Sequence, residues 1–152
     1  MKNSWDTQNQ WWDSTQVLGP ITDSIRATTK PTALASIDDL GPVGSVKLAA
    51  LGLAGSRADG DFVAAKRRVA ADGAAYYEWD LAVPPPGGIC PRSEQEVIVC
   101  PPVEVALVSA TVADGALVVF EVGVDKGQWR NFGKQIRTMR STFHVAAPAA
   151  PN

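Results

Sequence analysis

Cys90 and Cys100 are the only cysteines of the chain, and they stand in a segment bounded by Pro84-Pro85-Pro86-Gly87-Gly88 and Pro101-Pro102. They mark the two ends of a short excursion that leaves one strand and enters the next. The prolines keep either end from joining a helix, and strand pairing would bring the ends together. Read this way the pair is a disulfide, which belongs to an oxidising compartment and would contribute roughly 2–3 kcal/mol by closing a short loop. Two free thiols in a cytosolic protein are the alternative. A metal site is disfavoured, because there is no second cysteine pair and His144 is the only histidine. His144 has no nearby Ser or Cys nucleophile with which to complete a triad, so a structural or capping role is expected. Asp59 and Asp61 lack the later acidic ligands of a calcium loop and read as a solvated turn. Glu78 and Asp80 share one strand face, as acid/base pairs do. They are expected instead to form the wet side of a sheet, or salt bridges to Lys66 or Arg68 across a hairpin. No P-loop, dinucleotide fingerprint or nucleophile elbow occurs. With no catalytic, metal or cofactor residue assigned, function has to be sought on the surface.

The strongest surface signal is a basic stripe. Lys126, Arg130, Lys134, Arg137 and Arg140 carry five positive charges with no acid among them, whereas 59–80 and 94–121 hold most of the acids. At about 100° per residue these five share one side of a helix, while Trp129, Phe132, Ile136, Met139 and Phe143 share another. The net charge of −2 then describes a polarised molecule, a basic helix on a mildly acidic body. Nucleic-acid binding does not suit an acidic domain without interleaved exposed aromatics. Solvated charge, or docking onto an acidic protein or membrane-complex surface, accounts for the stripe. Near the N-terminus, Trp5 and Trp11-Trp12 either fold back over the core or serve as partner anchors, a role in which Trp is favoured.

The elements that position these residues follow from pattern and punctuation. The 152 residues, 45% hydrophobic, are expected to form one domain, with a polar Trp-rich arm over 1–15 and a flexible tail over 146–152. A strand over 24–29 stops at Lys30-Pro31. Ser36 with Asp38, Asp39 and Pro42 punctuates a helix start, and a weak helix over 43–53, interrupted by Gly44 and Gly52, ends at Gly55. Strands are predicted over 62–71 and 75–83 around Asp72-Gly73, with Tyr77, Trp79 and Leu81 buried and Glu78 and Asp80 solvated by period-two alternation. Strands over 105–112 and 117–124 turn at Asp114-Gly115, the strongest short-range hairpin signal, and a helix follows over 126–143. Tight hairpins demand antiparallel neighbours, so the class is α+β, an antiparallel sheet with helices on its faces. No apolar run reaches the roughly 18 residues of a transmembrane helix. The N-terminus also lacks the plan of a secretory signal, which fits either a chain made without one or a form from which a targeting segment has been removed.

The segment Asp72-Gly73-Ala74-Ala75-Tyr76-Tyr77-Glu78-Trp79 resembles a hairpin of the PsbP family of photosynthetic extrinsic proteins. The stretch Leu107 to Val112 with Asp114-Gly115-Ala116-Leu117 is similar to that family's next hairpin. Trp129, Ile136 and the finish Ser141-Thr142-Phe143-His144-Val145 resemble its closing helix, and Thr28-Thr29-Lys30 with Ile37-Asp38-Asp39-Leu40-Gly41 resembles the segment before its first helix. The ordered set, over roughly 11–146, carries the likeness. It implies an α-β-α sandwich around a central antiparallel sheet, a place in the thylakoid lumen of a chloroplast, and a non-enzymatic role in binding, stabilising or assembling a photosystem, chiefly photosystem II with its oxygen-evolving complex. Under that reading Lys126, Arg130, Lys134, Arg137 and Arg140 are the docking residues, with Trp5 and Trp11 as anchors. A lumenal address also suits a Cys90–Cys100 disulfide. The family's calcium and other metal binding is not carried over, because the histidine that some members place before the penultimate strand falls at about Val105. The proline-rich cysteine loop is foreign to the photosystem II subunit and points to a divergent PsbP-like or PsbP-domain protein. The alternative functions are a redox-responsive lumenal regulator using Cys90 and Cys100, and an accessory factor of photosystem I.

Overall fold

Four long runs rich in β-branched and aromatic residues make a meander, and a fifth strand closes it from the N-terminal side. A computed structural model describes residues 5–6, 11–12, 25–85 and 102–145. Cys90, Cys100, most of the 1–15 arm and the 146–152 tail lie outside the described residues. Strands β1 (Trp5–Asp6) and β2 (Trp11–Trp12) pair antiparallel, Trp5 opposite Trp12, as a separate two-stranded ribbon. The main sheet contains β3 (Ile25–Pro31), β4 (Asp61–Val69), β5 (Ala75–Val83), β6 (Glu104–Ala113) and β7 (Ala116–Val124). It is antiparallel throughout, in the order β3-β7-β6-β5-β4. Among the described residues one α-helix, α1 (Lys126–Thr142), follows β7 directly.

Turn chemistry sets the hairpins. Asp114 and Gly115 both adopt positive φ, 51° and 73°, the conformation that a two-residue turn matched to sheet twist requires. The Asp72-Gly73 turn is wider than expected. Strand β4 ends at Val69, and the amide of Ala70 donates to the Ala74 carbonyl at 2.8 Å. Pro31 is tolerated inside β3 because that strand forms an edge of the sheet.

Period-two alternation sorts the side chains onto two covered faces. On one, Tyr77, Trp79, Leu81 and Val83 of β5 join Ala106, Val108 and Ala110 of β6 and Leu117 and Val119 of β7 in the larger core cluster. The layer over this face corrects the helix expected over 43–53. The chain there makes short 3-10 turns, Ile37–Leu40, Val43–Ser45, Leu48–Leu51 and Arg57–Asp59. Ser36 caps the first turn as its type suggests, but Gly41 at φ 92° and then Pro42 end it. Gly52 at φ 67° stops the third. Single turns suffice to present Ile37, Val46, Leu48 and Leu51 to the sheet. Trp79 Nε1 donates to the Val43 carbonyl at 2.8 Å, and Tyr77 Oη donates to that of Gly41 at 2.6 Å, pinning this layer to β5.

On the other face, Leu107, Val122, Val124 and Ile136 form a second cluster, flanked by Trp129, Phe132, Met139, Phe120, Val105 and Ile25. This is where α1 lies. The architecture is thus an α+β sandwich with α1 on one face and a layer of 3-10 turns on the other.

Candidate docking surface

Helix α1 begins with a capping box. Asp125 Oδ1 accepts from the Gln128 amide at 2.8 Å, and Gln128 Oε1 accepts from the Asp125 amide at 3.0 Å. From there the apolar residues face the sheet, while the basic residues divide into two groups. Lys126, Arg130, Lys134 and Arg137 are exposed. Arg140 is buried, against the expectation that all five basic residues share the wet side.

Two carboxylates explain the burial of Arg140. Glu78 and Asp80 are themselves buried, which corrects their assignment to the solvated side of the sheet. Because α1 roofs this face, they lie beneath it rather than in water. Arg140 Nη1 donates to Asp80 Oδ1 at 2.6 Å and to the Trp79 carbonyl at 3.0 Å, and its Nε lies 3.7 Å from Glu78 Oε2. Arg68 Nε donates to Glu78 Oε2 at 3.1 Å while its Nη2 reaches the Phe143 carbonyl at 2.8 Å, and Lys66 Nζ stands 3.5 Å from Glu78 Oε1. The salt bridges expected across the β4–β5 hairpin are therefore present. Aromatic packing seals the helix end, with Phe143 stacked on Phe120 at 5.1 Å and edge-on to Tyr76 at 6.3 Å. Buried carboxylates held this way by guanidinium groups clamp a helix to a sheet.

The exposed face of α1 has a different character. Trp129 lies over Gly133, where an added Cβ would come within 3.3 Å of the ring. Arg137 stacks on the same ring, its guanidinium carbon 4.7 Å from the centroid, and its Nη2 lies 3.3 Å from Asp80 Oδ2. Residues 129, 133 and 137 are four apart and so form one ridge on the helix. Beside this ridge runs an open depression of about 570 Å³ lined by Trp129, Arg130, Gly133, Lys134, Arg137 and Thr138. A rigid Trp–Arg pair in a field of uncompensated cations has the composition of a protein-binding hot spot and an electrostatic preference for acidic partners. His144 is exposed, with Nδ1 3.2 Å from the Thr142 carbonyl at the helix end.

A second buried ion network went unrecognised in the sequence. Arg57, on the last 3-10 turn, donates to Glu104 Oε1 at 2.7 Å and to Glu121 Oε1 at 2.5 Å, and the Ala54 amide also donates to Glu121 Oε1 at 2.9 Å. Burial works against the charge of Arg57, yet these carboxylates hold its affinity for the proton above the ordinary arginine value. The readable signal is Gly123, a glycine inside a strand, which often marks close approach of another group. A Cβ there would overlap Arg57 Nη2 and the Glu104 carboxylate. Among the described residues, no three His, Cys, Asp or Glu side chains converge as metal ligands, and no helix is long and apolar enough to cross a membrane.

No family profile and no curated protein matches the sequence. Among solved structures, the chain is similar to the solution structure of cyanobacterial PsbP (CyanoP) from Synechocystis sp. PCC 6803, with a TM-score of 0.58 and 18% identity. The likeness covers 80% of this chain and 66% of that one, just under two thirds of its length. The fold is PsbP-like.

Proposed function

We propose that the chain is a divergent member of the PsbP family, a non-catalytic protein of the thylakoid lumen that docks peripherally on a photosystem, most readily photosystem II, and stabilises or helps to assemble it. The observation that carries this reading is the PsbP-like sandwich whose helix α1 keeps Lys126, Arg130 and Lys134 exposed beside the Trp129–Arg137 ridge. Docking residues in this reading are Lys126, Arg130, Lys134 and Arg137, with Trp129 at their centre and Trp5 and Trp11 as anchors on the N-terminal ribbon. Arg140 leaves the set because its charge is spent on Asp80 inside the protein.

The test is retention on photosynthetic membranes at increasing salt. Changing Lys126, Arg130 and Lys134 together to Gln is expected to release the protein at lower ionic strength while leaving its unfolding free energy in urea within about 0.5 kcal/mol of the parent's, as for exposed sites generally. Unchanged retention with unchanged stability would remove the helix face from the interface.

A further inference from the structure

Strand β4 is an edge of the sheet, nine residues long, and its outer backbone groups pair with no strand among the described residues. Four large apolar side chains are exposed among the described residues, and three of them, Phe62, Val63 and Val69, belong to β4. Such an edge is a ready template for another strand, and here a register shift between Phe62 and Ala64 and the charges of Lys66, Arg67 and Arg68 oppose indiscriminate pairing. Beside it, between β4 and α1, opens a cleft of about 240 Å³ lined by Ala64, Lys66, Glu78, Asp80, Arg137 and Arg140.

The charge in and around this cleft does not balance. Lys66, Arg68, Arg137 and Arg140 supply four cations against the two carboxylates Glu78 and Asp80. The side chains of Lys66 and Arg137 are 63% and 53% exposed at its mouth. Deeper in, Arg140 Nε is buried and has no hydrogen-bond acceptor among the described residues.

We propose that the β4 edge is a docking site for an extended acidic segment of a partner protein, which adds to the sheet as a further strand and seats one carboxylate in this cleft. Backbone pairing supplies affinity and alternate side chains supply specificity, as in other strand-addition complexes. Apolar residues of the segment cover Val63 and Val69, and the carboxylate meets Lys66 and Arg137. A second copy of this chain is the wrong occupant, because pairing β4 with β4 would crowd Lys66, Arg67 and Arg68 of both copies onto one short ribbon. The site is centred on β4 and meets the outer face of α1 only at Arg137, so variants at Lys66 and variants at Lys126, Arg130 and Lys134 report on separate surfaces.

Two short synthetic peptides test the proposal on the full chain, one alternating Val and Glu and one alternating Val and Lys. The Val/Glu peptide is expected to slow hydrogen exchange at those β4 amides that do not bond to β5. Its binding should weaken about tenfold in Lys66→Glu and be retained in Lys66→Arg. Unprotected β4 amides at millimolar Val/Glu peptide, equal binding of the Val/Lys peptide, or a Lys66→Glu affinity equal to the parent's would each overturn it. So would a dimer of the chain occupying the edge in the peptide's place.

Discussion

Arg140 reaches from the last turn of α1 down to β5, and its guanidinium pairs with Asp80 at 2.6 Å, both side chains buried. Breaking a buried pair by removing one partner leaves an uncompensated charge, which typically costs about 3–5 kcal/mol. Arg140→Met is expected to lose stability on that scale in urea unfolding, and the double variant with Asp80→Asn should recover part of it, since the orphaned charge is then gone. At the surface, Asp38 on the first 3-10 turn accepts from Arg67 Nε at 2.8 Å and Arg67 Nη2 at 2.9 Å. The hydrogen bonds from Arg67 hold the Asp38 carboxyl below its ordinary range. The folded protein therefore takes up that proton less readily than the unfolded chain. This contribution is complete above the ordinary carboxylate range and is lost as pH falls through the lowered folded value. Asp38→Asn should lack this part of the acid sensitivity, so its urea midpoint and the parent's should converge between about pH 6 and pH 3; a constant gap would show that the pair does not contribute.

At the scale of elements, the features readable from sequence were those governed by local rules. The Asp114-Gly115 turn, the boundaries of β5 and the apolar seam of α1 depend on backbone preference and periodicity, and they lie within a residue or two of where pattern places them. Failures arose where a second layer changes the meaning of a pattern. The alternation of Tyr77, Trp79 and Leu81 with Glu78 and Asp80 correctly divides β5 into two faces, but alternation cannot say that both faces are roofed. Arg140 illustrates the same limit, and its position carried a hint. It lies only about 40° around the helix from Ile136, close enough for its long apolar stem to follow the seam while its head finds a carboxylate below. In the 43–53 segment, capping residues and apolar spacing are genuine, yet Pro42, Gly44 and Gly52 leave single turns that the sheet holds in place. Arg57, Glu104 and Glu121 come from three distant parts of the chain, and only Gly123 hinted at them.

Taken whole, the molecule is a sheet fastened to its two covering layers by buried charge. The Arg140–Asp80–Glu78–Arg68 group ties α1 to β5, and the Arg57–Glu121–Glu104 group ties the 3-10 layer to β6 and β7 on the opposite face. With these cations committed inside, clusters of exposed cations remain on α1 and along β4, and it is these two displays that carry the proposed contacts. The sheet order carries one more consequence. Strands β4 to β7 each pair with their sequence neighbour, whereas β3 pairs with β7, the last strand among the described residues, with Ile25 opposite Val122. Loop-closure entropy delays such distant pairings. On a ribosome, β3 must wait for its neighbour until the segment through residue 124 has emerged. In pulse-labelled refolding, amides of 25–30 are accordingly expected to gain protection after those of the 61–83 hairpin, and earlier protection there would mean that the strand finds its seat by some other route.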